Sequence, residues 1–421
     1  MLLAPGCGGG GSHSAAYTTS GGRPPYATDP VCNAVALPAV SIPSLQVAAQ
    51  TRNVFVPPTS RETQEDLGYR VHTNHVISLG SVSPALGGAN GYAPAKIAQA
   101  YGVGSYPLGG SGAIAIVDAY NYPTALADFN TFASSFGLPT EPSTNILAST
   151  NQVLQMVYAT GKQPVNNGGW SQEMAIDIEW AHAMAPGAKI YLVEAATSSF
   201  SDIVAAIRVA KALPGVKQVS TSFGGTETSC YYVNYDAAFT QPGVVFFSAS
   251  GDSAAARLYP ALSSNVVSVG GTTLATDTLG AWVSESVWAD MGCGPSAHEP
   301  RPVFQDGYYS KIGLYRGGVD ICAVADPNTG VAVYDSYAYQ GFQGWFVAGG
   351  TSVACPIVAG IVNASGKAFS SSQDFNKKLY SLAGSSSVHA ITSGSAGPYK
   401  AGSPWSFATG VGTPNGLAAG L

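Results

Sequence analysis

Charge is what this sequence has least of. Only 10% of its 421 residues are Asp, Glu, Lys or Arg, against roughly a quarter in an ordinary globular chain. The net charge is −6 and the pI about 5.5, which excludes nucleic acid or an anionic membrane as the main partner. No apolar run is long enough to span a bilayer. Cysteine is sparse, with six residues whose spacing gives no zinc pattern. What is abundant points elsewhere. Hydrophobic residues make up 46% and aromatic ones 10%, so a large packed core is within reach and wholesale disorder is excluded. With 51 Gly and 27 Pro, the composition is that of a loop-rich, secreted chain with a polar but weakly charged surface.

Residues 1–85 read as a leader and low-pattern extension that packs on the main domain or stays mobile, and 86–421 as one body. Met1-Leu2-Leu3-Ala4-Pro5-Gly6-Cys7 precedes a Gly8-to-Ser12 tether. A Cys after small residues and before such a tether resembles the end of a bacterial lipoprotein signal. A lipid anchor at Cys7 and a secreted or cell-envelope location are therefore expected. The basic part and most of the apolar part of such a signal are missing, and Pro5 fits it poorly. This reading requires a start further upstream; the alternative is a leader without function. Cys293 and Cys322 flank one loop region and form a candidate disulfide in an oxidising compartment. Cys355 reads as a small buried core residue.

Along the body the pattern alternates between apolar strands and helical periods. Pro94 opens a helix. Ala113–Val117 predicts a strand, Ala125–Phe136 a helix, and Trp170–Ala185 a helix stopped by Pro186-Gly187. Lys189–Val193 predicts a strand and Ser201–Ala212 a helix. Val216–Ser222, Val244–Ala249 and Val266–Val269 complete the set of strands. Apolar strand cores between helices imply a mainly parallel α/β sheet with right-handed crossovers. In such sheets the chemistry gathers at the C-terminal strand ends.

Three strings carry chemistry. In Gly349-Gly350-Thr351-Ser352-Val353-Ala354-Cys355-Pro356 a serine stands where an extended segment turns into a helix. Glycines let a substrate backbone approach its hydroxyl, and a helix N-terminus favours developing negative charge. These are the needs of a nucleophile in acyl transfer. On the helix that begins at Trp170, Glu173 and Asp177 are four apart and share a face among Met, Ala and Ile. Two like charges there repel unless they share a proton; the plainer reading is a solvated acidic face near a helix start. Finally, Val245-Phe246-Phe247-Ser248-Ala249-Ser250-Gly251-Asp252-Ser253 is a buried strand ending in a small-residue turn. Asp252 is there either a site acid or a simple turn or cap residue.

Together these strings resemble the sedolisin family, the serine-carboxyl peptidases. The family marks are Gly-Thr-Ser-x-x-x-Pro, a Glu-x-x-x-Asp helix running into Ala-Pro-Gly-Ala (here Ala185 to Ala188), and Ser-Ala-x-Gly-Asp-Ser. They occur in the family's order from about residue 90 to the C-terminus. Tyr92 to Tyr101 and Ala325 to Gly330 resemble further recurring segments. The resemblance implies a sedolisin-like peptidase domain over 86–421, with a subtilisin-like α/β fold: a mainly parallel central sheet with helices on both faces. It implies hydrolysis of peptide or unfolded-protein substrates at acid pH, by a single copy of the chain. Carried over residue by residue, Ser352 is the nucleophile, Glu173 the general base, Asp177 its orienting partner and Asp252 the oxyanion donor. Asp118 lies where some relatives extend this acid network. A carboxyl donates only when protonated, so Asp252 must be neutral while Glu173 still accepts a proton. Both hold only in acid, where a histidine base would be charged.

The departures matter too. The family's calcium ligands include an Asp before Ile-Thr-Ser-Gly and an Asp after Gly-Trp; here Ala390 and Ser406 occupy those places. No calcium or other cofactor is expected, with packing or hydrogen bonds in its stead. Some 85 residues precede the body, fewer than a folded inhibitory domain would need. Of the six histidines, His13, His72, His75, His182, His298 and His389, none sits in the His-Gly-Thr-His setting of subtilisin-type proteases. His182, on the acid helix, is the nearest alternative base. A catalytically silent relative, binding peptides or serving as a cell-surface module, is the competing reading.

Overall fold

The computed structural model describes residues 53–80, 91–103, 109–416 and 420–421. The lipoprotein-like string and Cys7 lie outside them. The described chain first lays down three short strands, β1 (Val54–Phe55), β2 (His72–Thr73) and β3 (Val76–Ser78). Then come α1 (Pro94–Ala100), β4 (Ala113–Ala119), α2 (Ala125–Ser135), β5 (Leu154–Tyr158) and α3 (Gly168–Met184). Next are β6 (Lys189–Ala195), α4 (Phe200–Ala210), β7 (Val216–Thr221), β8 (Phe223–Thr226) and α5 (Ser229–Tyr235). They are followed by β9 (Val245–Ala249), β10 (Leu258–Tyr259), β11 (Val267–Thr276), β12 (Trp282–Val287) and β13 (Gly294–Pro300). A one-turn α6 (Tyr309–Ile312), β14 (Tyr315–Gly318) and β15 (Ile321–Val324) lead to a hairpin, β16 (Val331–Tyr339) and β17 (Phe342–Gly349). α7 (Thr351–Ala364) and α8 (Ser372–Ser381) are the last helices of any length.

The central sheet has the order β12-β11-β9-β7-β4-β6-β5, with β15 also on β11. All its pairings are parallel except β11 with β12. Every residue of β4 is buried, as its unbroken apolar run requires of a strand covered on both faces. α3 and α7 pack against each other and onto the sheet, and α4 packs separately on β4 and β6. The mainly parallel sheet with helices on both faces is as expected. Asn167 caps α3, its side chain accepting from the amides of Gly169 and Trp170. Gly360 lets α7 lie close to α3, since a Cβ there would stand 2.6 Å from Cβ of Met184.

Two features depart from the sequence reading. The disulfide is not formed: Cys293 and Cys322 are both free and buried. Each thiol instead donates to a carbonyl of a different segment, Ala396 and Ala408 respectively, both at 3.8 Å. The hairpin β16–β17 had no counterpart in the predicted elements. It continues through β3 to β1 as a second, antiparallel sheet, so part of the low-pattern extension is built into the fold.

Candidate active site

β17 ends at Gly349 and α7 starts at Thr351, so Gly350 is where strand becomes helix. It stands at φ 102°, a region closed to most side chains. A Cβ there would also collide with the Asn74 carbonyl oxygen, Oδ2 of Asp252 and Cα of His75. Ser352 is the second residue of α7. Its amide N–H, one of the unpaired donors of a helix start, donates to the carbonyl oxygen of Asn74 at 2.9 Å. Its hydroxyl donates to the backbone carbonyl of Ser222 at 3.0 Å. Pro356 explains part of the motif. It has no N–H to give the carbonyl of Ser352, and the freed carbonyl lies 3.4 Å from the Ser222 hydroxyl.

α3 brings the acids. Glu173 and Asp177 lie one turn apart and are fully buried, not on a solvated face. Oε2 of Glu173 shares a 2.6 Å hydrogen bond with Nδ1 of His75. Burial holds the Glu173 carboxyl well above the usual range, with the Ser352 hydroxyl and the Asn74 backbone pulling it down. Asp177 accepts from the Ser222 hydroxyl at 2.6 Å. Its carboxyl is pushed up by burial first and by Glu173 second. Asp118, at the end of β4, is raised by burial and then by Asp177, Glu173 and Glu194. Burial lifts Glu194 to about 8. Ser222 thus links nucleophile to acid pair, and the acids continue inward as one run.

Asp252 follows β9 through Gly251, at φ 109°. Its Oδ1 accepts from the amide and from the hydroxyl of Thr351, both at 2.8 Å. Oδ2 is buried with no hydrogen-bond partner among the described residues. Burial pushes this carboxyl well above its ordinary range, Thr351 pulls it back, and Glu173 and Asp290 push it further up. A carboxyl held neutral in this way keeps a proton to donate.

The four residues expected from sequence, Ser352, Glu173, Asp177 and Asp252, are brought together at the C-terminal edge of the sheet, with Asp118 behind them. His182 is not among them: its ring packs on Phe129 and its Nε2 bonds the carbonyl of Pro139 at 2.8 Å. The sequence reading missed Ser222, Thr351, Asn74 and His75. Ser222 sat at the end of a predicted strand with no role attached. His72-Thr73-Asn74-His75 lay in a stretch without periodicity, so no pattern singled it out.

The calcium-type donor set is absent from the C-terminal loop by its chemistry. Ala390 offers no oxygen from its side chain. The Ser406 hydroxyl pairs with Thr409 Oγ1 at 2.8 Å. Thr409 Oγ1 in turn donates to the carbonyl of Gly402 at 3.1 Å or of Gly410 at 3.2 Å. With no carboxylate at either place to offset the charge of a hard cation, these two side chains do not fit the ion. Among the described residues no group of three or more His, Cys, Asp or Glu is placed to hold a metal.

Comparison with known proteins follows the geometry. The model of the subtilase family matches residues 158–372, about half of the chain. Sedolisin of Pseudomonas sp. (strain 101) is 26% identical, over 78% of this chain and 60% of its own length. Kumamolisin of Bacillus sp. (strain MN-32) is 32% identical, over 77% of this chain and 62% of its own. The chain thus spans about three fifths of the length of these curated relatives. A solved structure of Pseudomonas sedolisin, a serine-carboxyl proteinase complexed with two molecules of pseudo-iodotyrostatin, matches with a TM-score of 0.63 at 24% identity. That match covers 78% of this chain and 97% of the other and shows the fold. The chain has the subtilisin-like fold and belongs to the subtilase family, within it to the sedolisins.

Proposed function

We propose that the chain is an acid-acting serine-carboxyl endopeptidase that hydrolyses peptides or unfolded proteins through an acyl-enzyme on Ser352. One observation carries the reading: a peptide carbonyl, that of Asn74, rests on the amide of Ser352 at 2.9 Å and against the same small gap as Asp252 Oδ2. That is where the oxyanion of acyl transfer develops. Glu173 takes the Ser352 proton and returns it to the leaving amine. Asp177 orients Glu173 and is itself held by Ser222. Protonated Asp252 donates to the oxyanion. The likeness to sedolisin and kumamolisin supports a serine-carboxyl peptidase as the class of enzyme. All these groups come from one chain, so a single copy suffices. Calcium has no part in this reading. The low charge fits work outside the cytoplasm, and no helix among the described residues is long and apolar enough to cross a membrane.

Hydrolysis of a denatured protein by wild type and Ser352→Ala, from acid to neutral pH, tests this. Activity confined to acid and lost in the variant is the expected result. No hydrolysis by folded wild type at any pH would leave a catalytically silent, peptide-binding relative.

A further inference from the structure

Residues 72–74 lie along β8 as a bound peptide would, and Asn74 takes the place of the substrate residue on the acyl side of the scissile bond. His72 and Thr73 pair with Gly224 and Phe223. Asn74 N–H donates to the Ser222 carbonyl at 3.2 Å, and its own carbonyl takes the Ser352 amide. Side chains alternate across a strand, so His72 and Asn74 share a face with Gly224, and Thr73 shares the other with Phe223. Phe223 packs on Trp170 of α3, and Thr73 Oγ1 meets Ser60 Oγ at 2.8 Å. Asn74 therefore points the opposite way, away from α3. β10 pairs with β8 through Leu258 and Thr226, which puts Leu258 on the same face as Gly224 and Asn74. Its Cδ1 fills the space between β8 and the turn to Asp252: a Cβ on Gly224 would stand 2.9 Å from it, and one on Gly251 2.5 Å.

We infer that Leu258 closes the end of the pocket for the substrate residue on the acyl side of the cut, and that this pocket selects an apolar side chain of leucine size. The inference rests on the peptidase reading above and names its substrates: peptides cut after leucine or methionine.

One observation sets the polarity and another the size. Asn74 is buried, and neither the nitrogen nor the oxygen of its side-chain amide has a partner among the described residues. A seat that leaves an amide unpaired favours an apolar side chain of the same shape, and leucine has the branching of asparagine without its polar atoms. As for size, Leu258 is buried, and the cavity it borders holds only about 10 Å³. An aromatic ring needs more depth than that. The rest of that cavity is lined in part by Ala256, Ala261 and Gly292, all small. Trimming Leu258 would join the cavity to the pocket and make room for a ring.

The full chain, at the pH at which it hydrolyses denatured protein, would be given peptides identical except for Leu, Asn or Phe at one position. The cut after that position would be identified by mass spectrometry and its kcat/KM measured. Leu should exceed Asn at least about tenfold and Phe at least about fivefold. Leu258→Ala, shown folded by circular dichroism, should reverse the order of Leu and Phe and still reject Asn. Leu258→Met, of similar volume, should keep the wild-type order. Wild type that cuts after Asn as readily as after Leu overturns the apolar pocket. Phe equal to or above Leu in wild type, or an unchanged order in folded Leu258→Ala, overturns the role of Leu258. In each of these cases peptides are cut, and the peptidase reading stands. A folded wild-type chain that hydrolyses neither the peptides nor denatured protein removes both readings.

Discussion

Two carboxyls in this cleft must hold opposite protonation states under the proposed mechanism. Asp252 has to carry a proton, and burial holds it there; Glu173 has to lose one for part of each turnover. Asparagine separates the roles at position 252. Its amide donates without titrating, and its oxygen can still accept both Thr351 hydrogen bonds that now converge on Oδ1. Asp252→Ala should lose about 10²–10³-fold in kcat, the usual cost of one oxyanion donor. Asp252→Asn should stay within about tenfold of wild type and carry activity further toward neutral pH. An Asn variant whose activity falls off at the same pH as wild type would show that Asp252 does not set that limit.

At the scale of elements, α3 delivers the acids, and its start is fixed by one side chain. Asn167→Ala removes the acceptor for the amides of Gly169 and Trp170 and should cost about 1 kcal/mol. The melting temperature should fall by about 2 °C with kcat little changed; a large loss of activity without loss of stability would mean that the cap acts on the site directly. This helix was legible in the sequence because its period, its Pro186-Gly187 stop and its paired acids all agree. β4, β6, β7 and β9 were legible for a similar reason, being short segments rich in β-branched and apolar residues between helices. The hairpin β16–β17 was not. It alternates imperfectly, turns on Gln340-Gly341, and is stabilised by packing on α3 and by pairing with β3, partners far away in the chain. β2 and β3 have two and three residues, too short for any period to show. Their place in the cleft is set by backbone pairing, to which the identity of the side chains contributes little. The four site residues were readable from local strings; Ser222 and His75, which act through them, become visible only once the strands are assembled.

Across the whole molecule the scarce acids are buried to an unusual degree, and this sets the response to pH. Burial lifts Glu194 and Asp335 to about 8 and Glu299 to about 7. A carboxyl raised on folding stabilises the native state fully below its unfolded value, and the contribution is lost as pH rises through the folded one. His75 and His182, lowered by burial to about 4, have the opposite sign: their contribution is lost as pH falls from 6.5 toward 4. Between pH 8 and 6.5 the carboxyls act unopposed by these two rings. The Ser352→Ala chain, which cannot digest itself, should therefore melt at least about 5 °C higher at pH 6.5 than at pH 8. A flat or inverted response would mean that these acids are better solvated than their burial implies. A chelator should leave that melting temperature unchanged, since Thr409 and Ser406 close the loop where a calcium site would lie; a clear fall would reveal a bound cation. The proposed chemistry itself is tested most directly by kcat/KM of the wild-type chain on a denatured substrate across pH. A carboxylate base with a protonated carboxyl donor should give activity that peaks in acid and is extinguished toward neutral pH. Activity that instead rises through pH 6 to 7 and holds there, as an imidazole base would produce, would contradict it.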